Sequence, residues 1–354
     1  MGKSKISSEI LFTQEVERKL SEIVCHYPKE KIFLATENNV KKICLPKIKE
    51  LVDKYSIRVI VIPEGESNKK LESVTAIWEA LSINGADRKS LLINLGGGML
   101  TDLAGFAAST FKRGIDFVNI PTTLLSQVDA SVGGKTGFNF NGLKNEIGTF
   151  KNPISVIINT DFLKTINKEN LLSGYAEMIK HGLIFSPAHL RELEAFDLEE
   201  VDYALLQGII RHSVNVKEYF VENDPTEMNI RKALNFGHTT GHAFESFAMK
   251  QKRPVLHGYA VAYGMIMELY LSVIKCNLNK NIMSRLANWL LSVYGKFEIR
   301  ESDSGQLFEL MTHDKKNEKG KINFTLISEV GKVEINQDCG KELILEALRY
   351  YKSL

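Results

Sequence analysis

The chain has 354 residues, 44% of them hydrophobic, which is enough for a substantial core and two domains of ordinary size and excludes a disordered chain. Its 45 Lys and Arg nearly cancel its 43 Asp and Glu, and a net charge of +2 removes the electrostatic ground for a nucleic-acid or anionic-membrane partner. Cys25, Cys44, Cys276 and Cys339 form no CxxC pair, so the expectation is free thiols in a reducing cytoplasm rather than a disulfide framework or thiolate metal site.

The opening MGKSKISSEILFTQ lacks the apolar core of a signal peptide. The runs KIFLAT, IRVIVIP, SLLINL, DFVNIP and SVIINT alternate with helical patterns, and this alternation predicts an α/β fold with a Rossmann-like parallel sheet over residues 1–160. After SLLINL, the cluster GGGMLTDLAGFAAS runs into an amphipathic helix. Glycines there let backbone N–H groups approach a phosphate, and the helix N-terminus adds positive charge, which suits a dinucleotide although GxGxxG is absent. Asp102 in this segment could bond a ribose or serve the helix electrostatically. DFVNIP is followed by a polar loop, TTLLSQVDASVGGKTGFNFNGLKNEIGTF, rich in phosphate-binding donors. Its GGKT is not a Walker loop, because the first glycine of GxxxxGK[ST] falls at Asp129.

From 161 to 354 long stretches with apolar residues three and four apart, such as LLSGYAEMIKHGLIF and YALLQGIIRHSVNVKEYF, predict a mainly α-helical domain. A cleft shared by the two domains is the expected site. SGYAEMIKHG places Glu177 and Lys180 one turn apart, in isolation an ordinary stabilising pair. In NFGHTTGHAFE, His238 and His242 share a helical face, but no glutamate follows the first histidine as it does in zincins. His257 opens the next helix, so an open zinc site can be drawn from Glu177 and any two of the three histidines; ligand chemistry does not choose between them. The apolar segment 256–274 contains His257 and Glu268 and is not expected to cross a membrane. KINFTLISEVGKVEI predicts a hairpin turning at Glu329–Gly331.

In this order GGGMLTDLAGFAAS, RGIDFVNIPTTLLSQVDASVGGKTGFN, KNEIGTF, SGYAEMIKHG, RKALNFGHTTGHAFE, LHGYAVAYGM and HDKK resemble the 3-dehydroquinate synthase family, NAD-dependent zinc enzymes of the shikimate pathway, from about Ile32 to Lys316. The resemblance implies zinc, with cobalt as a substitute, on Glu177, His238 and His257, and it assigns His242 to the substrate-phosphate pocket. It implies a substrate site of Asp129, Lys135, Asn145, Lys180, Lys217, Arg231, Asn235 and Lys316 or its neighbour Lys315. NAD would lie against Gly97, Gly98, Asp102, Thr122, Thr123, Lys135, Lys144, Phe162 and Thr165, with Glu37, Asn39, Glu66 and Lys69 toward the adenosine end. Arg113, in FKRGIDF, would reach the neighbouring subunit's phosphate site in a homodimer.

The chain departs from the family pattern at Glu37, usually aspartate, at INKEN, usually a proline-and-arginine turn, and at Tyr259, commonly glutamate. The implied reaction converts 3-deoxy-D-arabino-heptulosonate 7-phosphate to 3-dehydroquinate and phosphate by transient oxidation, phosphate elimination, re-reduction, ring opening and internal aldol closure. Its rivals are a cyclase acting on a carboxylate-free sugar phosphate, a polyol dehydrogenase consuming NAD, and a scaffold that has lost its chemistry.

Overall fold

The computed structural model describes residues 8–141, 143–312 and 322–354. It divides into two compact units, Met1–Asn167 with Glu199–Val214, and Lys168–Leu198 with Asn215–Leu354.

The first unit contains strands β1 (Glu9–Phe12), β2 (Ile32–Glu37), β3 (Arg58–Ile62), β4 (Leu91–Gly96), β5 (Asp116–Pro121), β6 (Lys135–Phe140), β7 (Leu143–Phe150) and β8 (Ser155–Ile158). Six of them form a parallel sheet in the order β1-β8-β5-β4-β2-β3. Strands β2 and β4 are buried along their whole length, which is why they read as nearly unbroken apolar runs: both faces of a parallel sheet are covered. The two-residue period divides them. Phe33, Ala35 and Leu92 enter the core beneath the helices Leu71–Ile83 and Gly98–Thr110, whereas Ile32, Leu34, Leu91 and Ile93 face Val16, Leu20, Leu51 and Val52 on the other side.

Two local expectations are corrected. The helix Gly98–Thr110 is not amphipathic, since Leu100, Thr101 and every residue from Leu103 to Ala108 are buried. It is covered a second time, with Phe106 meeting Phe138 of β6 at 5.1 Å between ring centroids and Trp78 at 6.3 Å. The cover is supplied by β6 and β7, an antiparallel hairpin where the polar composition predicts a loop. Strand alternation there is hidden because Gly137 and Gly148 occupy packed positions: a Cβ on Gly137 would lie 2.6 Å from the Ile147 carbonyl oxygen.

The second unit is mainly helical. The Glu177 helix (Lys168–Phe185), the His238 helix (His238–Lys250) and the His257 helix (His257–Cys276) form its centre, and the hairpin of β9 (Asn323–Glu329) and β10 (Lys332–Asp338) turns where expected. The three helices meet backbone to backbone. A Cβ on Gly258 would lie 1.9 Å from the Ser173 carbonyl oxygen, and one on Gly264 would lie 2.0 Å from that of Gly237. Among the described residues the His257 helix is the one long and apolar enough to span a membrane, yet 67% of its most apolar window is buried within the protein. It also carries Glu268, wholly buried.

Candidate active site

In the first unit the strand order reverses direction between β2 and β4, and ligands of open α/β sheets bind beyond the carboxyl ends of the strands at such a point. Glu37 ends β2 there, and its carboxylate accepts N–H bonds from Gly65 and from Gly97, the residue preceding the Gly98–Thr110 helix. Burial, with Glu64 adding to it, holds Glu37 above the usual carboxylate range, although the two N–H donors pull the other way. Side chains are excluded from the loop that follows β4: a Cβ on Gly98 would lie 2.9 Å from that of Ala130, and one on Gly97 would touch Thr123 at 3.4 Å. The Thr122 N–H donates to the Gly96 carbonyl at 3.0 Å, and the Thr123 and Ser126 hydroxyls pair at 2.9 Å.

Beside this loop, buried Lys69 pairs with Asp102 at 2.6 Å. Asn139 of β6 donates its N–H to the Lys69 carbonyl at 2.8 Å and its side-chain amide to Glu66 at 2.9 Å, and accepts the Asn145 N–H at 2.9 Å. Glu66, Lys69, Asp102 and Asn145 thus share one network, with Lys144 adjacent and, like Lys135, exposed. Asp129 is half-buried in a wide helical turn, Ser126–Ala130. Asn39 is exposed and accepts the Val40 N–H. Phe162 lies wholly in the core, and the exposed Thr165 hydroxyl donates to its carbonyl. Exposed Arg113 follows Lys112 in a turn where both have left-handed backbones, φ 70° and 51°.

In the second unit three helices deliver reactive side chains to one place. Glu177 and Lys180 leave the same face of their helix, and His238 and His257 are each the first residue of theirs. One ligand atom from each of Glu177, His238 and His257 lies within 4.8 Å of the others. Glu177 Oε1 stands 3.4 Å from Nε2 of both histidines, and Lys180 Nζ contacts Glu177 Oε2. His242 is beside them, with ring centroids 5.4 Å from His238 and 5.9 Å from His257.

The donor set fits a divalent metal. Both oxygens of Glu177 are buried without a hydrogen-bond partner, making only ion-pair contacts. His238 Nδ1 stands 3.1 Å from the Phe236 carbonyl and His257 Nδ1 3.5 Å from Glu245, so each ring has an acceptor behind it while Nε2 faces Glu177. Burial opposes the charge on Glu177, but Lys180 and His238 outweigh it and hold the carboxyl well below its usual range. For His257 burial works against protonation, yet Glu177 and Glu245 push it up to about 10, the mark of a pocket that favours positive charge. Two carboxylates, three histidines and a buried lysine are costly to bring together for stability alone.

Lys217 and Arg231 are also buried in this unit, at 6% and 2% exposure, unusual for residues that a purely structural role would leave in water. The Arg231 loop is held by Asp224, which accepts N–H bonds from Met228 (3.0 Å), Asn229 (2.6 Å) and Arg231 (3.1 Å), while Arg231 Nη1 donates to the Pro225 carbonyl at 2.8 Å. Asn235 donates its amide to Glu227 at 2.9 Å. Glu268 accepts the Gly237 N–H at 2.6 Å, the Thr240 N–H at 3.2 Å and the Thr240 hydroxyl at 2.8 Å, capping the helix that His238 begins. The sequence reading misses Asp224, Glu227, Glu245 and Glu268; only Glu245, three residues beyond His242 on one helical face, leaves a trace in the spacing. Lys315 and Lys316 lie outside the described residues.

A doubly wound sheet with a glycine loop at its switch point, and a helical unit with a Glu–His–His cluster suited to a divalent metal, define a metalloenzyme of the dinucleotide-binding α/β class. Residues 59–173 match the description "3-dehydroquinate synthase N-terminal" and residues 174–317 "3-dehydroquinate synthase C-terminal". The chain is 48% identical over 344 residues to a 3-dehydroquinate synthase of Parabacteroides distasonis, covering 97% of this chain and 98% of that one. It is 41% identical over 323 residues to that of Clostridium tetani, covering 90% and 84%. The chain belongs to the 3-dehydroquinate synthase family. A solved 2-epi-5-epi-valiolone synthase of Streptomyces hygroscopicus subsp. jinggangensis, with NAD+ and Zn2+ bound, shares the fold at a TM-score of 0.88 and 23% identity, covering 100% of this chain and 99% of that one.

Proposed function

We propose that this protein is a 3-dehydroquinate synthase, converting 3-deoxy-D-arabino-heptulosonate 7-phosphate to 3-dehydroquinate and phosphate for aromatic amino-acid biosynthesis in the cytoplasm. The observation that carries the reading is the convergence of Glu177, His238 and His257, with Lys180 beside them, in a chain so similar to enzymes of that name.

Glu177, His238 and His257 would hold zinc, or cobalt in its place, and the loop at Gly97 and Gly98 with Glu37, Asn39, Glu66, Lys69, Asp102, Thr122, Thr123, Lys144, Phe162 and Thr165 would hold NAD. When bound, these groups supply a reversible hydride acceptor and a Lewis acid for the substrate's oxygen. The chain's own residues do the rest by position and charge. Lys180, Lys217 and Arg231 are buried cations that bind the substrate's carboxylate and phosphate without reorganising. Glu227 accepts the Asn235 amide N–H and so fixes the orientation of that neutral side chain. His242 shares a helix face with His238 but stands outside the set of converging ligand atoms, in accord with a phosphate-binding role. Lys135, Asp129, Asn145 and Lys316 complete the substrate site, and Arg113 reaches a partner subunit's phosphate site in a homodimer.

The test is turnover with catalytic NAD. Heptulosonate 7-phosphate should release one phosphate per molecule and yield 3-dehydroquinate with no accumulation of NADH. Stoichiometric NADH would instead mark a polyol dehydrogenase, and phosphate release only from carboxylate-free sugars would mark another cyclase.

A further inference from the structure

The two histidines of the metal cluster differ in what stands behind them. His238 Nδ1 faces a main-chain carbonyl, that of Phe236, at 3.1 Å. His257 Nδ1 faces a carboxylate, Glu245 Oε2, at 3.5 Å. Glu245 lies seven residues beyond His238, two helical turns along the same face, so the helix that provides one ligand also provides the support for the other. Its exposure is 7%, and the side chain of His257 is 27% exposed, so this is a sheltered carboxylate behind a ring that still opens toward the site.

Each histidine is the first residue of its helix and sits at the positive end of the dipole, which withdraws electron density from a ligand nitrogen, but His257 has a carboxylate behind it where His238 has a carbonyl. The Tyr259–Tyr294 ring contact at 5.3 Å braces the same turn of helix. We propose that Glu245 is a positioning residue for metal binding. It holds the proton of His257 on Nδ1 and turns Nε2 toward Glu177. This deepens the metal-site reading and rests on it.

The experiment is a double-mutant cycle in zinc affinity, measured on the full chain by competition with a chromophoric chelator, with the cobalt absorption spectrum as a second readout. Removing an outer-shell partner of a ligating histidine weakens metal binding about 10–100-fold. Glu245→Ala is expected within that range. Glu245→Gln, which keeps an acceptor and the packing but not the charge, should fall between it and the unaltered chain, and it remains readable if the alanine variant does not fold. In a His257→Cys background, which keeps a ligand atom but removes the ring, Glu245→Gln should cost nothing further, because its effect passes through the ring; a purely structural role would give the same loss in both backgrounds and overturn the proposal. Wild-type affinity in both Glu245 variants would also overturn it while leaving the site intact. An unaltered chain that binds no zinc, or binds it equally after His238→Ala, would instead remove the site reading itself.

Discussion

The Glu177 and His257 helices approach closely at Gly258, and replacing that glycine with alanine tests whether the approach sets the metal cluster. The added Cβ would lie 1.9 Å from the Ser173 carbonyl oxygen, 2.5 Å from its carbon and 2.6 Å from its Cα, all main-chain atoms that no rotamer change can remove. Restoring ordinary contact at about 3.4 Å requires the Glu177 and His257 helices to part by about 1.5 Å. The same movement stretches the Gly258 N–H bond to Ser173 Oγ, now 3.0 Å. Overpacking costs about 1–3 kcal/mol and the lost hydrogen bond about 1 kcal/mol, against at most about 1 kcal/mol gained in helix propensity, for a net destabilisation of about 1–3 kcal/mol. Ser173 is one turn before Glu177, and Gly258 follows His257, so the ligand atoms separate with the helices. Metal–ligand distances tolerate only about 0.2 Å, and zinc affinity should fall at least about tenfold. Gly208→Ala is the control: that glycine is helical with nothing within 4 Å, and the variant should gain about 0.5–1 kcal/mol. Guanidinium unfolding and chelator competition measure both. A Gly258→Ala protein as stable as Gly208→Ala, with unchanged zinc affinity, would refute the reasoning.

Glu268→Ala should cost about 2–4 kcal/mol in guanidinium unfolding, because the N–H groups of Gly237 and Thr240 lose a buried acceptor, and zinc affinity should fall with it as the start of the His238 helix loosens. For Asp224, burial opposes ionisation, but three backbone N–H bonds and Arg231 prevail and depress its pKa. Its contribution is therefore complete above the usual carboxylate pKa of about 4 and is lost as pH falls through the depressed folded value, so Asp224→Asn should be less stable than the parent at pH 7 and approach it by pH 3 in urea unfolding. His238→Ala should lose zinc by elemental analysis, whereas His242→Ala should keep zinc and lose turnover.

The legible parts of this fold are those where composition and geometry coincide. Runs such as SLLINL and DFVNIP are largely apolar because both sheet faces are covered, and the asparagines they admit, Asn94 and Asn119, are buried in a hydrogen bond to each other. Strand β1 escapes notice because EILF is four residues long and owes its place to pairing with β8, 146 positions away. The β6–β7 hairpin escapes because its glycines, lysines and asparagines resemble a loop, and only the close approach of the two backbones explains Gly137 and Gly148. Residues 203–214, in the first unit, lie on one continuous helix, Tyr203–Asn223, that carries no local mark of the change at Asn215. At the site, ligand chemistry alone leaves three histidines for two places, and the family resemblance names two. The supporting carboxylates were hidden for different reasons: Glu245 and Glu268 acquire their roles from helices that cross, and Asp224 and Glu227 from an irregular loop whose bonds follow no regular spacing.

That division explains why the metal cluster can be built from helix starts, which are otherwise mobile places for a ligand. An α-helix leaves its first N–H groups without partners, and the first turn frays unless something accepts them. Here the His238 helix is capped by a carboxylate from the body of the His257 helix, and the His257 helix is anchored by the Gly258 N–H on Ser173 Oγ of the Glu177 helix. Each ligand-bearing terminus is thus held by the interior of another ligand-bearing helix, whose middle turns are its most rigid part. Glycine at Gly258 and Gly264 is what brings the backbones close enough for these bonds, and glutamate at Glu268 is long enough to reach two donors at once. The relative positions of Glu177, His238 and His257 are therefore set within one unit by close backbone approach and by side-chain oxygens that hold the helix starts.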